Sequence, residues 1–419
     1  MDRDPLANQR RSRFRVGRQL LLAIIIVVLP VTAGEAASAV TVAAMPQLQL
    51  AIRHARPGDT IDILPGRYQG TLRFTSDNSG SRDAPVVLQA RDGPGSAVID
   101  GGGANITVKF SGARHIEIRH LDITGGGYHG VFFDKGAAHI ALAGNRIYDN
   151  HRRRPLDSHA EIKGSGSGDP MDRPRDIVLR GNEIFHTSHP GGGNFQGIDC
   201  NRCDRFQIVG NHLHDIRRPT GQPYSYFDRG ACIQMKSAST ETLIDGNRIA
   251  RCHIGIVFGG EGLETPAHIG GRVVNNVIVD STDIGIAVVN VDGGRIDHNT
   301  LFGNGRSIVV AIDSRYPRAV SRVAVRNNVF DRAIDVHGRM QVEERQNHLL
   351  TDGQAKRMFA NSERRDLRLR ATAQELIDRG ARLPDVVRRD KDGAPRGRDA
   401  GPDIGAFEFT DQGNGTNPN

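Results

Sequence analysis

From residue 139 the chain repeats one short pattern, in which apolar and polar residues alternate up to an Asn and alternate again after it. The segments "HIALAGNRIYDN", "DIVLRGNEIFHT", "FQIVGNHLHDI", "TLIDGNRIARC", "RVVNNVIVDS", "RIDHNTLFGN" and "VAVRNNVFDRA" bring Asn145, Asn182, Asn211, Asn247, Asn276, Asn299 and Asn328 into one column. Their separations are 37, 29, 36, 29, 23 and 29 residues. Alternation with period two predicts strands, and repetition at this spacing predicts a solenoid whose units bury a core only by stacking. The Asn column reads as scaffold: Asn tolerates left-handed turns, and stacked amides hydrogen-bond along a ladder. Ahead of the repeats, "PQLQLAIRHA" predicts a short amphipathic helix, ended by Pro57 and Gly58, that covers the open end of the stack.

A second strand follows each Asn strand after a turn. Setting Val131, Ala160, Ile198, Ile233 and Ile256 level places Phe133, Ile162, Cys200, Met235 and Phe258 in an inward column. The outward column is then Phe132, Glu161, Asp199, Gln234 and Val257, followed two residues on by Asp134, Lys163, Asn201, Lys236 and Gly259. Coils stack about 4.8 Å apart, so Glu161, Lys163, Asp199, Asn201 and Lys236 are expected on one outer face. The two longest spacings hold "HRRRPLDSHA" and "RRPTGQPYSYFDRG", each entering that face from its amino-terminal side. They supply Arg152, Arg153, Arg154, Arg217, Arg218 and Arg229, with Tyr224, Tyr226 and Phe227 for ring contacts. Guanidinium forks suit carboxylate or sulfate groups.

Composition agrees with many strands and tight turns: among 419 residues there are 50 Gly and no Trp, and 37% are apolar. Residues 1–39 read as an export signal, with a basic start, the apolar run "LLLAIIIVVL" and "ASA" as cleavage site. That run is shorter than the roughly 20 residues a membrane span needs. The Arg10–Arg11 pair leaves the export route open. The segment carries six Arg against Asp2, Asp4 and Glu35, so its removal lowers the formal charge from +7 to +4. The expected product is one domain over 40–409 with a disordered tail over 410–419. It is expected to be periplasmic or secreted, monomeric and without a membrane anchor, and to face an acidic polysaccharide, not nucleic acid. Disulfides are permitted there among Cys200, Cys203, Cys232 and Cys252, with the pairing open.

"LQLAIRHARPGDTIDILPGRYQG" and "DAPVVLQARDGPGSAVIDGG" resemble the amino-terminal cap and first coils of pectate-lyase-like proteins, and "DKDGAPRGRDAGPDIGAFEF" resembles the closing segment of bacterial members. The resemblance implies an all-β, single-stranded, right-handed parallel β-helix of the pectin-lyase type. "CIQMKSASTETLIDGNRIARC" is similar to the strand that carries the catalytic Lys in chondroitinase B and alginate lyases, and Lys236 falls on that Lys. Those enzymes have acidic Ca²⁺ ligands just before the Lys and an Arg in the next coil. This chain has Arg229 to Cys232 and Phe258 at those places.

Eliminating a uronate needs neutralisation of the sugar carboxylate, a base for the C5 proton and departure of O4. Lys236 or Lys163 is the candidate base. Glu161 and Asp199 are candidate ligands for a Ca²⁺ ion. The alternatives are a glycoside hydrolase using Glu161 with Asp199, or a noncatalytic polysaccharide-binding or envelope protein.

Overall fold

The computed structural model describes residues 38–152, 158–188, 194–217, 230–260, 266–312, 321–338, 340–383, 388–397 and 400–410. The segment expected to be an export signal, up to residue 37, Arg153, Arg154, Arg218, Tyr224, Tyr226, Phe227, Arg229 and residues 411–419 lie outside these residues. The chain divides into units 1–36 and 37–419, and the second holds everything described.

Alternating sequence becomes three parallel sheets. One coil runs through Ala138–Ala143 in the first sheet, Arg146–Tyr148 in the second and Ser158–Ser165 in the third. The next passes through Val178–Arg180, Glu183–Phe185 and Asn194–Asn201 in the same order, each strand pairing in parallel with its predecessor. This is the parallel β-helix that the repeat predicts. Inward residues stack like upon like along the axis: Phe74, Phe110 and Phe133 have ring centroids 4.9 and 5.1 Å apart. At the amino-terminal end the helix Met45–Arg53 adds Leu48 and Ile52 to the same core, which covers the first coil as expected.

The Asn column is a continuous buried ladder. Asn145 donates both its backbone N–H (2.9 Å) and its Nδ2 (3.0 Å) to Asn182 Oδ1. The double contact recurs from Asn182 to Asn211, to Asn247, to Asn276, to Asn299, to Asn328 and on to Asn347, a rung the repeat alignment lacks. The left-handed residue is the one before each rung, not the rung itself. Gly144, Gly181, Gly210 and Gly246 hold φ of 61–65°, and Asn275, His298, Asn327 and Gln346 hold 49–55°. Gly accepts that geometry at least cost and Asn at little more, whereas His298 and Gln346 adopt it within the same turn. Each turn therefore spends its amides on the coil above instead of on water, which leaves no buried polar group idle at the corner.

The closing segment lies back along the coils. Arg396 pairs with Glu408 (2.7 Å) and donates to Asn275 Oδ1 (2.7 Å), and the Gly405 N–H donates to Asn327 O (2.8 Å).

Candidate functional site

The third sheet sets the register. Val131, Ile162, Ile198, Ile233 and Ile256 are level, as are Phe132, Lys163, Asp199, Gln234 and Val257. The expected alignment is correct for four coils and two residues out for one: Lys163 stands where Glu161 was expected, beside Asp199. Pairing skips a residue where each strand bends, and Gly130, Glu161, Gly197, Cys232, Gly255 and Gly285 occupy that corner. A Cβ at Gly130 would lie 2.6 Å from Asn150 Nδ2 and one at Gly197 2.5 Å from Cys232 O, so the corner is closed toward the interior.

Glu161 accordingly belongs to the inside, with 1% of its side chain exposed. Asn150 donates to it from the backbone (3.1 Å) and from Nδ2 (2.6 Å), and His186 Nε2 is 3.2 Å away. Burial pushes this carboxyl up, but the neighbouring imidazoles of His151 and His186 and the hydrogen bonds of Asn150 outweigh it and hold the pKa at about 2. Glu161 is thus not a residue of the outer face. The carboxylate pair required by the hydrolase alternative is split between the interior and the surface.

On the outer face, Asp199 is flanked by two lysines. Lys163 makes a close ion pair with Oδ2, and Lys236 Nζ approaches Oδ1 at 3.7 Å. Each lysine side chain is 13% exposed and Asp199 only 2%. Burial raises the Asp199 pKa, yet the charges of Lys163 and Lys236 bring it below the ordinary carboxylate value. The Asn201 amide, level with Lys236, has a buried Oδ1 with no hydrogen-bond partner among the described residues. His129 sits three residues before the row of Lys163 and Asp199, across the corner, level with Ala160 and Gln196. Burial and then the charge of Lys163 depress its pKa to about 4, so its imidazole is neutral at neutral pH. Its Nδ1 accepts the Ala160 N–H at 3.2 Å, which places the ring proton on Nε2.

With His129 neutral, the cluster is two ammonium groups around one carboxylate, a net positive site suited to an acidic ligand. It does not suit Ca²⁺, because both oxygens of Asp199 already face lysines, and Glu161, the other expected ligand, meets imidazole nitrogens and not the oxygens Ca²⁺ prefers. The same outward row continues toward the amino terminus as Lys109 and Arg73. There a cleft of 460 Å³ is lined by Arg73, Asn105 and Lys109, among others. A larger cleft of 570 Å³ lies elsewhere, and two of its three arginines, Arg322 and Arg326, are paired with Asp292 and Asp297, as Lys109 is with Asp134 (2.8 Å).

Of the expected insert residues, Arg152 pairs with Asp100 (3.3 Å) and Arg217 with Asp215 (2.8 Å), and neither shares a partner with the lysine cluster. Phe258 is inward and fully buried, so the coil after Lys236 offers no cation at that place. His129 was not expected. The Gly-Val/Ile step of the corner, shared by "HGVF" and "QGID", carries the signal that would have placed it level with Gln196, two coils on.

Comparison with known proteins bears on the fold. No protein-family model matches this sequence, and no curated protein matches it. Among solved structures, the chain is similar to pectate lyase Pel9A at 16% identity, over 89% of this chain and 96% of that one, with a TM-score of 0.61. It is also similar to the lacto-N-biosidase of family GH136 from Eubacterium ramulus at 12% identity, over 75% and 68% of the two chains, with a TM-score of 0.52. An alginate lyase from Paenibacillus sp. str. FPU-7 matches at 18% identity over 75% and 99%, with a TM-score of 0.46. The protein therefore has the pectin-lyase-like parallel β-helix fold, on which both lyases and hydrolases are built.

Proposed function

We propose that the protein is an exported enzyme that cleaves an acidic, uronate-containing polysaccharide by β-elimination across the outer face of the third sheet. The observation that carries this reading is the pair of lysines, Lys163 and Lys236, converging on the buried Asp199. Lys163 is held in its ion pair, whereas Lys236 stands farther off at 3.7 Å, which makes Lys236 the base. In its amine form Lys236 takes the C5 proton, the electron pair of that C–H bond becomes the C4=C5 double bond, and the C4–O4 bond breaks. The departing oxygen takes a proton from solvent or from the Lys163 ammonium. Lys163, with Lys109 and Arg73 along the row, neutralises sugar carboxylates, and Asn201 Oδ1 accepts a sugar hydroxyl. No step uses Ca²⁺.

Arg152 and Arg217, with Arg153, Arg154, Arg218, Tyr224, Tyr226 and Arg229, would extend the grip from the inserts. Along the sequence each insert separates a second-sheet strand from a third-sheet strand. The export signal over 1–39 would deliver a monomer to the periplasm or the medium. The test is a screen of the purified protein against alginate, pectate, chondroitin sulfate and heparin for the ultraviolet absorbance of an unsaturated uronate.

A noncatalytic binding role is favoured by one observation: beyond Gln234 the outward row turns apolar as Val257, Ala287 and Val309, and the row two residues on, that of Lys236, continues as Gly259, Val289 and Ala311, so among the described residues no polar group follows Lys236 on either row. Salt-sensitive retention on these polymers without new absorbance would select that role.

A further inference from the structure

His151, Glu161 and His186 come from three segments of two neighbouring coils and meet inside the corner between the second and third sheets. His186 Nε2 lies 3.2 Å and His151 Nδ1 3.9 Å from the same oxygen, Glu161 Oε1, and the three atoms lie within 4.8 Å of one another. A tetrahedral ion with bonds of about 2.0–2.1 Å sets its ligand atoms roughly 3.3 Å apart, which small ring rotations would reach from here. The side chains are 10%, 1% and 3% exposed, so water does not satisfy them.

Hydrogen bonding alone leaves the cluster incomplete. At 3.9 Å, His151 Nδ1 is too far from Glu161 to bond it, and among the described residues it is a buried nitrogen with no hydrogen-bond partner. A polar atom in that state is costly unless something else engages it. The carboxylate, in contrast, is fixed from behind. Asn150 holds both oxygens, and its own Oδ1 accepts from Gly126 N–H (2.8 Å) and Thr107 Oγ1 (3.1 Å). An outer shell of this kind orients a metal ligand. The Phe195 ring stands nearly perpendicular to both imidazoles, at 5.8 and 6.2 Å between centroids, and covers one side of the cluster with an apolar group.

The geometry points to a divalent transition metal of the zinc class bound by His151 Nδ1, Glu161 Oε1 and His186 Nε2. Two imidazoles and one carboxylate suit zinc and its neighbours, whereas Ca²⁺ takes six to eight oxygens. The enclosure makes the ion a staple. It joins the ends of two second-sheet strands, Arg146–Tyr148 and Glu183–Phe185, to the third-sheet strand Ser158–Ser165 that carries Lys163.

The experiment uses the untagged chain, stripped with a chelator and titrated with Zn²⁺, and with Co²⁺ for its visible absorption. The expected result is one equivalent per chain, a Co²⁺ spectrum of low coordination number displaced by Zn²⁺, and a lower melting temperature for the stripped protein. His186→Gln should weaken binding by about a hundredfold or more and Asn150→Ala by about ten- to a hundredfold. His212→Gln, in the half-buried Glu183, His212, His214 group, should change neither. Should His186→Gln fail to fold, the wild-type Co²⁺ titration decides alone. Absence of any Co²⁺ spectrum, or an ion retained by folded His186→Gln or lost from His212→Gln, would overturn the assignment.

Discussion

Lys236 Nζ lies 3.7 Å from Asp199 Oδ1, on the next coil of the third sheet, while Lys163 closes on the other oxygen from the coil before. Asp199 is thus the hub of the outer face. Asp199→Asn leaves two nearly buried ammonium groups without a counter-charge, and breaking such a group is expected to cost about 3–5 kcal/mol in unfolding free energy. Urea denaturation of the two proteins at neutral pH measures it.

The acid response of the site should separate into two windows. His129 has its pKa lowered to about 4 from 6.5, so its neutral form stabilises the fold above 6.5 and that contribution is lost as pH falls through 4. Asp199 has its pKa lowered below 3.8, so its contribution is full above that value and is lost only in stronger acid. His129→Gln should therefore flatten the stability profile between about pH 6.5 and pH 4, and Asp199→Asn below about pH 4. Profiles that are flattened in the opposite windows, or not at all, would remove the electrostatic account of the cluster.

A rung taken from the middle of the Asn ladder should cost more than one from its end. Asn247 Oδ1 accepts from the Asn211 backbone and Nδ2, and its own Nδ2 donates to Asn276 Oδ1 and Ile208 O. Asn247→Ala strands several buried groups at about 1–3 kcal/mol each. Asn347, only partly buried, has no rung beyond it among the described residues, and Asn347→Ala should cost about half as much or less. Calorimetric melts of the two variants give the comparison.

This ladder was legible in the sequence because the same residue recurs at the same place in a two-residue alternation, and position along such a strand fixes side-chain direction. The lysine row was legible for the same reason in every coil but one. What defeated the reading at Glu161 is the corner, where the backbone bends and alternation fails. The neighbouring coils put Gly130, Gly197, Gly255 and Gly285 there, and an ionised residue in a column of glycines looks like surface. Levelling Ile162 with Ile198 and Ile233, each after the corner residue, restores the register. The Cys232–Cys252 pairing was not legible, since it depends on Cys232 occupying the same inward corner row.

The cysteines give an independent check of that corner. Cys232 and Cys252 are joined, whereas Cys200 and Cys203 are buried free thiols. Thiol labelling should find none accessible in the native protein, two after unfolding without reductant and four after reduction. Cys252→Ser opens a 20-residue loop and should cost about 3 kcal/mol.

The most direct test of the proposed chemistry is the ultraviolet assay on whichever uronate polymer the wild type cleaves, repeated with Lys236→Ala and Lys236→Arg. Lys236 as base predicts that both variants lose nearly all elimination, because guanidinium stays protonated, while both still melt cooperatively and are retained on the polymer. Lys236→Ala retaining most of the wild-type rate would contradict it.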